Sequence, residues 1–74
     1  MSTEKLNFSE QLKKYRKQLG YSQRQMSIFL GFSIKSIQAW EQQQRTPPKT
    51  YKEMILQKIK REIKIQNFGK LKEE

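Results

Sequence analysis

Ser22–Trp40, SQRQMSIFLGFSIKSIQAW, holds two short runs of helical apolar spacing joined at one glycine. Ser22 is placed to cap a helix, with Gln25 three residues on as its capping-box partner. Met26, Phe29 and Leu30 form the inner face of that helix, and Gly31 ends it. Ser33 caps the next helix, Ser33 to about Glu41, whose inner positions are Ile37 and Trp40. Between them the turn Gly31-Phe32-Ser33 reverses the chain with a positive φ, which a side chain at Gly31 would penalise. Phe32 is placed to fold back onto both helices. Helix, tight turn, helix at this spacing is an arrangement used to bind DNA, although many small helical hairpins share it. The outward positions are Gln, Arg, Lys and Ser rather than a Glu/Lys mixture.

Outside this stretch the chain reads as more helix. Phe8, Leu12, Tyr15 and Leu19 fall at steps of four, three and four, one face of a helix. Ser9 caps that helix unless it begins slightly earlier, and Gly20 ends it as a left-handed residue. The stretch EQQQRTPPKT is a break, because Pro47 and Pro48 are barred from a helix interior but suit a first turn. A last helix is expected over about 48–66, with Tyr51, Met54, Ile55, Ile59 and Ile63 at helical spacing and Asn67 and Gly69 ending it. No segment reads as a strand. The expected fold is all-α: a bundle of four to five helices forming a single domain over 1–74, with the helix-turn-helix at 22–41.

Composition narrows the chemistry. Seventy-four residues make one small domain, in which only about 60% of the unfolded surface becomes buried, so a partner chain would help. With no cysteine and no histidine, thiolate zinc sites, Cys nucleophiles and His-based catalysis are excluded. The seven carboxylates are scattered, without a paired acid and base or a phosphate-cradling glycine loop. Neither an enzyme nor a metal, cofactor or small-molecule ligand is expected. No run approaches the ~20 apolar residues of a membrane span, and MSTEKLNF lacks a signal peptide's apolar stretch. A cytoplasmic location without membrane association is the expectation, and the lack of cysteine fits a reducing compartment.

Charge points to the partner. Sixteen Lys and Arg against seven Asp and Glu give a net +9, spread as +5 over 1–46 and +4 over 47–74. A field of this sign favours phosphate polyanions or an acidic membrane surface, and a lysine-rich solvated surface is the alternative.

The stretch LKKYRKQLGYSQRQMSIFLGFSIKSIQAWEQQQRTPP, and more loosely residues 8–59, resembles the Cro/CI-type (XRE-like) helix-turn-helix family of phage and bacterial repressors. The matching residues are Arg16 in helix one, Ser22 and Gln23 opening helix two, and the small Ser27 within it. Leu30 and Gly31 follow at the turn, then the Ser33 cap, Ile37, Trp40 and Glu41 in helix three, and Pro48 after the loop. Two positions depart from the family pattern: Ser27 stands where Ala is usual, and Glu41-Gln42-Gln43 stands for Glu-Asn-Gly.

The resemblance implies a lambda-repressor-like DNA-binding domain. It further implies that Arg16 pairs with Glu41, and that Gln23 contacts a phosphate and braces a base-reading side chain. With Ile37 and Trp40 inward, Ile34, Lys35, Gln38 and Ala39 point away, and in the family such positions enter the major groove. Lys35 suits guanine O6/N7, Gln38 suits adenine, and the methyl groups of Ile34 and Ala39 suit the thymine methyl. Ile34 can instead act as a hydrophobic staple. Phosphate contacts are expected from Ser22, Gln23, Arg24, Ser33, Ser36, Arg45 and Lys49. The plain alternatives are capping for Gln23 and Ser33 and solvated charges for Arg45 and Lys49.

Tyr51, Met54 and Ile55 can close the core of four helices, which leaves Ile59, Ile63, Ile65, Phe68 and Leu71 as a surplus apolar stripe, with Ile55 at its start counted in the interface as well. Such a stripe marks an interface, and residues 55–71 are read as the dimerisation region. Folding back as a fifth element on the chain's own core is the alternative. The leading function is a sequence-specific, double-stranded-DNA-binding transcriptional regulator, a homodimer on a palindromic operator. It is read as a repressor of a small phage, plasmid or mobile-element operon, given its small size and single domain. Two other classes compete: an antitoxin-type interaction module that also binds its own promoter, and a basic membrane or RNA binder. The former lacks a long disordered toxin-binding tail, and neither membrane nor RNA binding needs the Ser-Gln and Leu-Gly motifs.

Overall fold

The computed structural model describes residues 6–72, with side chains described to residue 68. Four helices follow in order: α1 (Phe8–Leu19), α2 (Gln23–Leu30), α3 (Ile34–Glu41) and α4 (Lys49–Lys72). No strand occurs among the described residues.

Local chemistry sets the helix ends. Asn7, not Ser9, caps α1: its side chain accepts from the Glu10 N–H at 2.8 Å, and Glu10 Oε1 accepts from the Asn7 N–H at 3.3 Å. The earlier start wins because an Asn caps as well as a Ser and here gains a reciprocal Glu. Ser9 is then freed for another bond, and its buried hydroxyl donates to the Glu41 carbonyl at 2.7 Å. Ser22 and Gln25 close a second capping box at the start of α2. Ser33 caps α3 by accepting from the Ser36 N–H at 3.1 Å. Gly31 ends α2 at φ 82°, in the left-handed region where a Cβ is disfavoured.

All four helices contribute to one core. Phe8, Leu12 and Leu19 meet Met26, Leu30, Ile37, Trp40, Ile55 and Ile59, all buried. Trp40 is edge-to-face with Phe32 at 5.0 Å and with Phe8 at 6.0 Å, so the turn residue does fold back onto its own helix pair. Helices α2 and α3 pack on each other, and α3 and α4 both pack on α1. Tyr21 and Lys58 flank the half-buried Phe29 ring, the lysine at 5.1 Å.

Helix α4 corrects the sequence reading in three respects. It runs through Asn67 and Gly69 to Lys72 rather than ending near 66. A helical Gly costs about 1 kcal/mol, which a long helix absorbs where a Pro would break it. Ile55 and Ile59, expected on the dimer stripe, are buried in the chain's own core, with Ile63 half-buried beside them. These three recur every four residues on the face turned to α1. Tyr51 and Met54, expected to close the core, are 46% and 52% exposed, as are Ile65 (56%) and Phe68 (61%). They lie on a different face of the same helix, so the surplus apolar surface is real but carried by other residues. Leu71 lies outside the described side chains.

Gln43 has φ 64°, the one non-glycine residue with positive φ among those described, at the place where the resemblance expects Gly. Relieving that strain, Gln43→Gly should stabilise the chain by about 0.5–1 kcal/mol in urea unfolding, after the entropic cost of glycine. Gly31→Ala should cost about 1–2 kcal/mol through φ alone, because a Cβ there meets nothing within 4 Å. Shifts of the same sign for the two variants would contradict this account of both turns.

Candidate nucleic-acid interface

The first turn of α3 faces outward. Ile34 and Lys35 are exposed, while Gln38 and Ala39 are half-buried one turn later. Across from them run the α3–α4 loop and the start of α4, and between the two lies an open cleft of about 810 Å³. Ser33, Lys35, Ser36, Gln38 and Ala39 line one wall; Gln42, Gln44, Arg45, Pro47, Pro48 and Tyr51 belong to the other side. Three of the four expected base-reading residues thus share a cleft with one expected phosphate-binding cation. Ile34 is not part of that lining and remains 38% exposed at the tip of α3.

Of the remaining expected phosphate contacts, Ser33 and Ser36 line this cleft, while Ser22, Gln23, Arg24 and Lys49 are not part of its lining. Ser22 and Arg24 are exposed at the start of α2, and Lys49 is exposed at the start of α4. The Ser22 hydroxyl accepts from the Gln25 N–H at 3.1 Å, and Ser33 Oγ lies 3.0 Å from Ser36 Oγ. These serines therefore cap and also border the surface, so the two readings of Ser33 coexist.

Behind the cleft a polar network joins the helices. Arg16 Nε donates to Glu41 Oε2 at 2.6 Å, and Nη2 donates to Oε1 at 3.1 Å. The two side chains are 15% and 4% exposed. Arg16 Nη1 also donates to the Tyr21 carbonyl at 3.1 Å, one residue before the α2 cap. One guanidinium thereby holds the last residue of α3 and the approach to α2. Gln23 Nε2 donates to Glu41 Oε1 at 3.1 Å, and Gln38 Nε2 donates to Gln23 Oε1 at 3.4 Å. No buried side-chain polar atom among the described residues lacks a partner.

The model of a helix-turn-helix domain family matches residues 9–68. The chain belongs to the Cro/CI-type helix-turn-helix family. No curated protein and no solved structure matches it significantly. Membership makes the chain a DNA-binding transcription regulator, and α2, the Gly31 turn and α3 are its helix-turn-helix. No helix among the described residues is long and apolar enough to cross a membrane.

Sequence reasoning missed two features of this helix-turn-helix. The Ser9 bond to the end of α3 was hidden because a Ser near a helix start reads as a cap. The spacing of Tyr51 points it to the core, yet it borders the cleft, 6.0 Å from the Phe32 ring. The usable signal was its place in the first turn after Pro47-Pro48, where α4 has just left the loop.

Arg16→Ala would leave the Glu41 carboxylate buried without its guanidinium. Breaking a buried pair in this way costs about 3–5 kcal/mol, a large share of the stability of so small a domain. Chemical unfolding should show that loss. A change below about 1 kcal/mol would place the pair among weak surface ion pairs and contradict its structural role.

Proposed function

We propose that this regulator is a sequence-specific repressor that binds a palindromic duplex operator as a homodimer, with α3 in the major groove. The observation that carries the reading is the cleft that gathers Lys35, Gln38 and Ala39 beside Arg45. Lys35 donates to guanine O6/N7, Gln38 pairs with adenine, and Ile34 and Ala39 meet thymine methyl groups. Ser22, Gln23, Arg24, Ser33, Ser36, Arg45 and Lys49 hold the backbone on either side, helped by the N-terminal N–H groups of α2 and α3. The net charge of +9 supplies long-range attraction to the duplex. Repression follows from occupancy, since a protein seated on a promoter excludes polymerase. A phage, plasmid or mobile-element operon is the setting we assign to it, and the cytoplasm is the compartment.

The dimer uses the exposed face of α4 that carries Met54, Ile65 and Phe68. Pairing two copies along this face sets two α3 helices apart, as two half-sites one duplex turn apart require. Ile65→Glu should then give a helical protein of half the sedimenting mass, whereas Ile59→Glu should lose helicity by opening the core. An Ile65→Glu protein that stays dimeric, or a wild-type chain that is monomeric even on its operator, would contradict this interface.

Selection of bound sites from random duplex DNA tests the function. A symmetric consensus is expected. Lys35→Ala should then relax preference at one base pair per half-site, at about 1–3 kcal/mol, while Lys49→Ala weakens consensus and random duplexes alike. Absence of a consensus, or an equal loss on both duplexes for Lys35→Ala, would overturn the assignment.

A further inference from the structure

We propose that the buried Glu41, acting through Gln23, fixes which way round Gln38 presents its amide to DNA, and so selects adenine over guanine. The inference rests on the DNA-reading role of α3 proposed above and adds a positioning residue that never touches the duplex.

The relay starts at a group that only accepts. The Glu41 carboxylate lies in the fork of Arg16, with Oε2 taking the Nε hydrogen and Oε1 taking one from Nη2. A carboxylate so held has no hydrogen to give. The third donor to it, Gln23 at 3.1 Å, must therefore present its NH₂ group. An amide has its oxygen opposite its nitrogen, so Gln23 Oε1 is turned away from Glu41. That oxygen faces Gln38, which meets it with its own NH₂ at 3.4 Å. Each link dictates the next: an acceptor at Glu41 requires a donor at Gln23, then an acceptor, then a donor at Gln38.

The far end of this relay lies in the cleft. With one N–H turned inward, Gln38 has its Oε1 and its second N–H for a base edge. Those two groups match the N6 amino group and N7 of adenine. The reversed amide would offer two N–H groups instead, which match guanine O6 and N7. Oxygen and NH₂ are nearly the same size, so packing alone does not choose between the two orientations. Only hydrogen bonding does, and here it is anchored on a carboxylate that is 4% exposed.

The test uses the full-length chain and duplexes that carry each of the four base pairs at the position where Gln38→Ala abolishes preference. The wild type should favour adenine over guanine there by about 5- to 100-fold. Glu41→Gln replaces one accepting oxygen by a donor and lets Gln23 turn either way. The adenine-to-guanine ratio should fall at least about fivefold toward one, with the salt dependence of binding unchanged. Arg16→Lys keeps the carboxylate but loses the fork; it should lower the unfolding midpoint and keep the ratio. A merely structural role for Glu41 would move stability and ratio together in both variants. Independently of folding of any variant, side-chain amide hydrogens of Gln23 and Gln38 in the wild type should exchange more slowly than those of the exposed Gln57. A folded Glu41→Gln chain that keeps the full ratio overturns the relay, and so does exchange at Gln23 and Gln38 as fast as at Gln57. A wild-type chain that binds every duplex equally overturns the DNA-reading role itself, and the relay with it.

Discussion

The carboxylate of Glu41 is the point on which the arrangement turns. It ends α3, and it is buried. Desolvating it is costly, and the cost is offset by the Arg16 fork and the Gln23 amide. Burying such a pair adds little net stability, because Coulomb attraction and desolvation nearly cancel. What it supplies is geometry. Arg16 reaches from α1 to the last residue of α3 and to the Tyr21 carbonyl ahead of α2. Ser9 adds a second tie from α1 to the backbone of Glu41. The two short helices, each only eight residues long, are thereby fixed in angle and register on a longer one. An isolated helix of that length is unstable in water, so the outward surface exists only because this inner side is held.

The same two helices place their N-terminal ends outward. Each starts at a serine cap, and each leaves N–H groups that favour an anion. Cations at Arg24, Lys35, Arg45 and Lys49 are exposed around these ends. Positive charge therefore borders a cleft whose lining includes the Gln38 amide and the Ala39 methyl group. That combination is what a duplex groove offers in reverse: a phosphate rim and a polar, methyl-studded base edge.

Much of this was legible in the sequence because it depends on local signals. Gly31, Ser22 with Gln25, and Ser33 mark helix ends that need no knowledge of distant contacts, and α2 and α3 fall where those residues put them. Periodicity also identified Leu12, Met26, Ile37 and Trp40 as inward-facing. Helix α4 was harder. Apolar residues occur on more than one of its faces, so spacing alone does not say which face meets α1. Ile55 and Ile59 won that place, and Met54 and Ile65 were left outside. Asn67 and Gly69 looked like a stop, yet propensity is a weak term against helix propagation. Ser9 and Gln23 depend on partners 32 and 18 residues away, and no local pattern carries such pairings. In the candidate interface, the residues expected on α3 were legible from helix phase. Their confinement with Arg45 and Tyr51 was not, because it depends on how the Gln43 turn swings the loop back.

Sequence-specific reading by this small cationic surface is the central claim, and general polyanion binding is the behaviour it must be told from. Titration of a selected duplex and a random duplex at several salt concentrations separates them. Log affinity should fall linearly with log salt on both, by about 0.9 per neutralised phosphate. Through that fall the selected duplex should stay about a thousandfold tighter than the random one, because base contacts release few counterions. A ratio near one at every salt concentration would contradict the account and leave the charge alone to explain binding.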